Sequence, residues 1–396
     1  MMDIVVEGGE ALIDGCFVDA ALTLSGSNIV DIGAPRGRGV PHIDAAGLTV
    51  LPGIIDVHGD AFERQIMPRP GVDFPLDIAL VDSDRQAIAN GITTVFHGVT
   101  WSWEPGLRGA DNAQHIVDSL TASEPRRAAD TRVHLRHETF NLDAEPTVHE
   151  WLKQGKIGLL AFNDHMQATV ADLDHPQRRA RMVERTALHD ADFDRLVATV
   201  ASRADEVPAS IKRLADTARA NGIRMLSHDD ETPLQRIELR SLGVEVSEFP
   251  KNEATAREAI GGGDLTVFGA PNIVRGGSHL GWTSAAAMVE KGLCSILASD
   301  YYYPAPLLAA FRLAADRILP LAQAWTLVSG APAIAAGLTD RGHLAVDRRA
   351  DIILVDRSVA LRPRVVAAIV AGRIVYLSEP VRLSSGSLVH RPAEMA

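Results

Sequence analysis

Residues 51–60 read Leu-Pro-Gly-Ile-Ile-Asp-Val-His-Gly-Asp, an apolar run that ends in two side chains able to bind a metal ion. Side chains alternate along a β-strand, so His58 and Asp60 are expected to point to the same side. One imidazole and one carboxylate so placed can hold a divalent cation. The pair alone is weak evidence, because a surface ion pair gives the same pattern. Its meaning depends on the polar residues that end the later apolar segments of the chain.

From Leu51 to about Ala336, short apolar segments alternate with helical ones. Eight strands alternating with helices over roughly 280 residues predict an α/β fold, a (β/α)8 TIM-type barrel. An open doubly wound sheet is the alternative, but no G-x-G-x-x-G motif opens a helix, so a dinucleotide site is poorly supported. The predicted strands are Gly53–His58, Ile92–Val99, Arg132–Glu138, Ile157–His165, Ile223–His228, Val244–Phe249, Leu265–Ala270 and Ser295–Asp300.

Both ends of the chain have a different pattern, with short β-rich segments separated by glycine turns and no helical periodicity. We therefore predict three segments. Residues 1–50 and 337–396 form one small β-domain built from both termini, and residues 51–336 form the barrel.

Composition excludes several classes of protein. The 396 residues carry a net charge of −12, which argues against a nucleic-acid or anionic-membrane binder, since those need a basic face. Two cysteines cannot form a disulfide framework or a cysteine-rich metal site. No apolar run reaches the roughly 18 residues of a membrane-spanning helix, and no secretory signal is visible. We expect a cytoplasmic protein, with a homo-oligomer compatible with these observations.

Histidines and carboxylates recur where the predicted strands end. In a barrel of this type the chemistry lies at the carboxyl ends of the strands, so these side chains are expected to converge on one site. Polar residues without a shared function would be distributed among helices and loops instead of recurring at strand ends. The residues concerned are His58, Asp60, Glu138, Asp164, His165, His228, Glu248 and Asp300.

These motifs resemble the amidohydrolase superfamily, whose members are metal-dependent barrel hydrolases. Within it, longer segments resemble the diphosphatases of the carbon–phosphorus lyase pathway, which act on α-D-ribose 1-methylphosphonate 5-triphosphate. Departures beside the site, such as Ala61 after the first motif, leave room for another substrate. The resembling segments are 68–71 (PRPG), 91–95 (GITTV), 134–138 (HLRHE), 226–230 (LSHDD), 269–279 (GAPNIVRGGSH) and 297–304 (LASDYYYP).

The resemblance implies one or two divalent metal ions, with zinc preferred and manganese or iron as alternatives. It makes His58 and Asp60 ligands of the more buried ion, and Asp300 a ligand that also transfers protons. The resemblance makes Glu138 the bridging carboxylate, in the place that a carboxylated lysine fills in many relatives, and the absence of a lysine at any predicted strand end supports this. His165 and His228 would hold the second ion. Three alternatives stay open. Glu138 could form a salt bridge with Arg136 instead of binding metal, and Asp164 could bind instead of His165. Glu248 could be a ligand or could orient a ligand histidine.

A phosphorylated substrate needs cationic groups in a chain of net charge −12. Barrel enzymes often bind phosphate in the loops after strands seven and eight, where glycines let backbone N–H groups approach. We therefore predict substrate contacts at Arg275, Gly276, Gly277, Ser278 and His279. A further contact is predicted at Arg69, which lies between two prolines.

The predicted function is a metal-dependent hydrolase of phosphonate metabolism. It would cleave a ribose methylphosphonate 5-triphosphate to the 5-phosphate and pyrophosphate through a metal-bound hydroxide. The alternative is an amidohydrolase or deaminase that acts on a C–N bond of a small substrate. A third class, an inactive subunit that keeps its metal, is disfavoured because Asp300, the predicted base, is present.

Overall fold

The computed structural model describes residues 3–33, 40–69, 71–122, 126–186, 188–276, 284–359 and 361–384. Strands are numbered β1 to β19 in chain order: Ile4–Glu7, Glu10–Ile13, Cys16–Asp19, Ala21–Ser25, Asn28–Gly33, His42–Asp44, Thr49–Pro52, Ile54–Gly59, Ile92–Trp101, Asp130–Glu138, Leu159–Asn163, Arg224–His228, Val246–Glu248, Leu265–Gly269, Ile296–Ala298, Ile352–Asp356, Arg364–Val370, Arg373–Leu377 and Leu383–Ser384.

The helices α1 to α15 lie mostly between the barrel strands. In chain order they are Glu63–Ile66, Leu76–Ala89, Ala110–Thr121, Glu145–Lys153, Met166–Asp172, Pro176–Thr186, Asp190–Ala201, Val207–Ala220, Pro233–Ser241, Glu253–Gly261, Ala270–Arg275, Ala285–Glu290, Ala305–Ala315, Leu321–Thr326 and Gly330–Ala335. None of the helices in these ranges is both long and apolar enough to cross a membrane.

Strands β8 to β15 form a parallel sheet in sequential order, which confirms the predicted (β/α)8 barrel. The first and last strands meet through backbone hydrogen bonds. Asp300 N donates to His58 O at 3.0 Å, and Asp60 N donates to Asp300 O at 2.8 Å. These bonds close the barrel directly beside the predicted metal ligands.

Apolar side chains from strands around the barrel fill its interior below the polar residues. Alanines of α15 pack against the same cluster. A packed interior leaves only the carboxyl ends of the strands open for chemistry, as the barrel architecture requires. The interior cluster contains Ile55, Val57, Phe96, Leu159, Ala161, Leu226, Val246, Val267, Ile296 and Ala298.

The chain termini lie in two further sheets. One has the order β19-β6-β1-β4-β5 and the other β18-β17-β16-β7-β2-β3, so each combines strands from both ends of the sequence. Their inner faces share one apolar core. Strand β7 (Thr49–Pro52) crosses the boundary predicted at residue 50 and leads straight into the barrel. Arg341 ties the C-terminal part to the barrel through a 2.6 Å hydrogen bond to Asp130.

Candidate active site

Two histidines and a glutamate meet at the carboxyl end of the barrel, each from a different strand. His58 Nδ1 lies 3.0 Å from Glu248 Oε1, and His134 Nε2 lies 3.6 Å from Glu248 Oε2. All three side chains are buried. His134 Nδ1 donates to Val57 O at 2.8 Å, and since a carbonyl can only accept, this bond leaves Nε2 free to act as a ligand. We call His58, His134 and Glu248 the inner cluster.

The electrostatics of the inner cluster favour a bound cation. Burial opposes protonation of His58, but the carboxylates of Glu248 and Asp60 outweigh it and raise its pKa to about 10. Burial lowers the pKa of His134 to about 4, so that imidazole is neutral. Burial also disfavours the Glu248 carboxylate, yet the two histidines bring its pKa down to about 2. A divalent ion bound here would replace the proton of His58.

Asp60 lies beside the inner cluster, with Oδ2 at 3.4 Å from His58 Nε2. The same oxygen accepts a hydrogen bond of 2.6 Å from Arg136 Nη1. Despite burial, Arg136 and then His58 hold the pKa of Asp60 well below its usual range. Gly98 of β9 makes this arrangement possible, because a Cβ at that position would overlap with Asp60 Oδ1 and crowd the Arg136 side chain.

A second group of donors lies further toward the barrel mouth. His165 Nε2 lies 3.6 Å from Asp229 Oδ2, and His228 Nδ1 lies 3.4 Å from Asp229 Oδ1. Glu138 Oε1 accepts a 2.6 Å hydrogen bond from His165 Nδ1. The carboxylates of Asp229 and Glu138 overcome partial burial and raise the pKa of His165 to about 9. We call His165, His228 and Asp229 the outer cluster.

The structure distinguishes between the two candidates at the end of β11. Asp164 is exposed, and its Oδ1 accepts a hydrogen bond from Met166 N at the start of α5. His165 turns inward instead, against Glu138 and Asp229. Adjacent residues point in opposite directions. The Asp164 carboxylate therefore accepts the backbone N–H at the start of α5, while the His165 imidazole points into the site.

Asp300 closes the site on the side of β15. Burial raises the pKa of its carboxyl to about 6, which places it near neutrality, where a general base works best. Its backbone has a φ of 54°, a left-handed conformation that also occurs at Asp229 (φ 61°) and Phe249 (φ 52°). Such strain collects at functional sites. The ring of Phe249 packs 4.9 Å from that of His58 and 5.2 Å from that of His228.

The predicted phosphate contacts lie partly within the described residues. Arg275 is exposed at the end of α11, and its Nη1 donates to the Tyr301 hydroxyl at 3.2 Å. Arg64 lies over the same ring, with Cζ 5.4 Å from its centroid. Gly276 has a φ of 85° and ends α11. Arg69 is exposed in a turn that pairs with Val72.

Three predicted contact residues, Gly277, Ser278 and His279, lie outside the described residues. Their role in substrate binding stays a prediction.

Four residues of the site were not predicted from the sequence to bind metal or substrate: His134, Arg136, Asp229 and Arg64. The signal for two of them was present, because His134, Arg136 and Glu138 alternate along β10 and so share one face, as His58 and Asp60 do. The suspected ion pair between Arg136 and Glu138 does not form. Arg136 binds Asp60 and Glu138 binds His165. Ligation by the predicted residues stays a prediction.

The residues present fit a divalent metal ion. Three nitrogen and oxygen ligands of the inner cluster lie within 4.8 Å of one another, and so do those of the outer cluster. His134 Nε2, Glu248 Oε2 and Asp60 Oδ1 are buried without a hydrogen-bond partner among the described residues. Buried polar atoms are almost always satisfied, and a cation held between His134 Nε2 and Glu248 Oε2, which lie 3.6 Å apart, would supply the partner that both lack in the described part of the chain. Imidazole with carboxylate is a ligand set for zinc, manganese or iron.

Comparison with known proteins identifies the family of this chain. The amidohydrolase family model matches residues 76–376. The α-D-ribose 1-methylphosphonate 5-triphosphate diphosphatase of Escherichia coli K12 is 31% identical over 362 residues, which cover 89% of this chain and 95% of that protein. A dihydroorotase of Geobacter sulfurreducens is 35% identical over 100 residues, 24% of this chain and 21% of that protein.

A solved dihydropyrimidinase from Brevibacillus agri shares the fold, with a TM-score of 0.65 and 13% identity over 95% of each chain. The family match spans most of the barrel and continues into the C-terminal strands. The chain belongs to the amidohydrolase family, as a hydrolase with a (β/α)8 barrel.

Proposed function

We propose that this chain hydrolyses a phosphoric anhydride, converting a ribose 1-methylphosphonate 5-triphosphate into the 5-phosphate and pyrophosphate. The observation that carries the proposal is the pair of exposed arginines on Tyr301, the residue directly after Asp300. Arg275 is in α11, directly after β14, and Arg64 is in α1, shortly after β8, so two short helices bring positive charge to the mouth beside the proposed base. The similarity to the Escherichia coli diphosphatase over most of both chains supports this choice.

The arginines provide what a polyphosphate needs. A guanidinium can donate two parallel hydrogen bonds to phosphate oxygens, and these bonds strengthen as negative charge grows during the reaction. The protein carries a net charge of −12, so its general field repels such a substrate. Binding of a polyphosphate substrate would therefore depend on the positive charges of the two arginines at the mouth. An uncharged cyclic amide would have no use for them.

Asp300 would move the proton. A water oxygen bonds to the phosphorus nearest the ribose while the bond from that phosphorus to the bridging oxygen breaks, and pyrophosphate leaves. Asp300, with a pKa of about 6, accepts the water proton and can return it to the leaving group. The inner cluster would hold the divalent ion, which supplies Lewis acidity and makes the water more acidic.

Purified protein loaded with Zn²⁺ or Mn²⁺ should release pyrophosphate from ribose 1-methylphosphonate 5-triphosphate. Dihydroorotate and a hydantoin are tested in parallel as substrates with a C–N bond. They represent the alternative function, C–N hydrolysis, which the similarity to a dihydroorotase over about a quarter of the chain supports. Asp300→Asn, which keeps the size of the side chain but cannot take up the proton, is the matched control. Amide hydrolysis without pyrophosphate release would overturn the proposal.

A further inference from the structure

Arg136 lies between Asp60, which is beside the inner cluster, and His228 of the outer cluster, and it contacts both. Its Nη1 donates to Asp60 Oδ2 at 2.6 Å, and its Nη2 lies 3.1 Å from His228 Nε2. The side chain is buried, with 6% of its surface exposed. A guanidinium is not deprotonated in proteins, and the 2.6 Å hydrogen bond to the Asp60 carboxylate compensates the buried charge. A full positive charge is therefore held at the centre of the site.

The bond to His228 decides which nitrogen of that residue remains available. Arginine can only donate, so His228 Nε2 must accept, and the proton of the neutral ring lies on Nδ1. Neither nitrogen then offers a free lone pair. The outer cluster loses one of its three ligands as long as Arg136 stays in place.

The neighbouring strand β9 leaves space for this arginine. Gly98 leaves space for the Asp60 carboxylate and for the Arg136 side chain, and a Cβ there would lie 3.3 Å from Arg136 Cδ. The inner cluster, in contrast, makes no hydrogen bond to Arg136. Two of its atoms, His134 Nε2 and Glu248 Oε2, have no hydrogen-bond partner among the described residues and lie 3.6 Å apart.

We propose that Arg136 takes the place of a second metal ion. The chain holds one divalent cation, at the inner cluster, and the guanidinium supplies the second positive charge while it keeps the outer cluster from binding metal. This inference rests on the proposed metal-dependent hydrolysis, and it specifies how many ions that reaction uses. A fixed guanidinium cannot be lost to a chelator, so only one of the two charges depends on metal supply.

Counting metal tests the inference without an activity assay. Metal-free parent protein is titrated with Co²⁺ and followed by its visible absorption, and protein equilibrated with Zn²⁺ is measured by elemental analysis. We expect both to saturate at one ion per chain. In Arg136→Met, which keeps the length but removes the charge and the donors, His228 Nε2 becomes free and the count should rise to two.

Two further variants make the result specific. Arg136→Met combined with His165→Ala should return to one ion, because the outer cluster loses a ligand. Arg108→Met should stay at one. It removes another partly buried arginine, 3.7 Å from Glu63, that lies outside both clusters. Circular dichroism shows whether each variant is folded, and the parent titration stands by itself if Arg136→Met does not fold.

The outcomes separate this inference from the proposed function. Two ions in the parent protein, or an unchanged count of one in folded Arg136→Met, would overturn the role of Arg136 and leave the hydrolase proposal intact. No bound ion in the parent protein would contradict the metal-dependent reaction itself. One ion in the parent and two in the variant would support the inference.

Discussion

Asp56, on the first barrel strand, accepts two hydrogen bonds from Ser299, which directly follows the last barrel strand. Ser299 Oγ donates to Asp56 Oδ2 at 2.5 Å, and Ser299 N donates to Oδ1 at 3.0 Å. Both residues are buried. Asp56 lies two residues before His58 on the same strand, and Ser299 directly precedes Asp300. Burial raises the pKa of Asp56 even though these bonds work in the other direction. The pair joins the two edges of the barrel immediately below the site.

Ser299→Ala should therefore destabilise the protein. It leaves a buried carboxylate oxygen without its hydroxyl donor, and hydrogen bonds to charged groups are worth about 1.5–3 kcal/mol. Denaturant unfolding followed by circular dichroism measures the change in the free energy of unfolding. Ser202→Ala is the control, because its hydroxyl bonds a helix carbonyl on the exposed surface, at 2.7 Å from Thr199 O. A loss in Ser299→Ala no greater than in the control would contradict this role.

His134→Ala should lose bound metal. The inner cluster would keep His58 and Glu248 but lack a neutral imidazole with a free Nε2, and we expect metal affinity to fall by at least about 10–100-fold, the range found when even an outer partner is removed. Elemental analysis after dialysis against a weak chelator gives the metal content. His115→Ala, an exposed histidine on α3, should keep it. Full retention of metal in His134→Ala would exclude the inner cluster as the site.

Arg275→Ala should lower kcat/KM on a triphosphate substrate by about 10–150-fold, because a charge-assisted hydrogen bond of roughly 1.5–3 kcal/mol is lost. Metal content should not change. Arg275→Lys should recover part of the activity, since an ammonium keeps the charge but cannot donate in parallel. Removing phosphates from the substrate should slow the parent enzyme and make little further difference to Arg275→Ala. Parent-like rates of Arg275→Ala on phosphorylated substrates would assign this arginine to structure alone.

Glu145→Gln should show a pH-dependent loss of stability. The hydrogen bonds from Arg213, Ser210 and His149 lower the pKa of Glu145 to about 2, outweighing partial burial. A lowered carboxyl pKa stabilises the fold above the unfolded-state value near 4.5 and loses this contribution as the pH falls toward the folded-state value. The free-energy difference between parent and variant should thus be largest at pH 7 and shrink as the pH falls from 5 to 3. A constant difference over this range would contradict the assignment.

Much of the fold could be predicted from short-range patterns. Alternation of apolar segments and helices predicted eight strands, and each observed strand end lies within two residues of the predicted one. Hydrophobic periodicity is a property of neighbouring residues, so the sequence carries it directly. The predicted fourth strand extended to His165, whereas β11 ends at Asn163. The Asp164 carboxylate ends it by accepting the N–H of Met166.

The sequence by itself also determined which residues could form the site, because strand ends in a barrel converge whatever the details of packing. It placed His58, Glu138, His165, His228 and Asp300 at that rim.

Only the tertiary structure decided which of them are partners. His58 and Glu248 are separated by 190 residues, and Arg136 and His228 by 92, so no local pattern links them. Their pairing depends on barrel closure, on strand register and on the space left by Gly98. A register shift of one residue would turn the opposite side chains inward, and the sequence alone does not specify the register between strands that lie far apart along the chain.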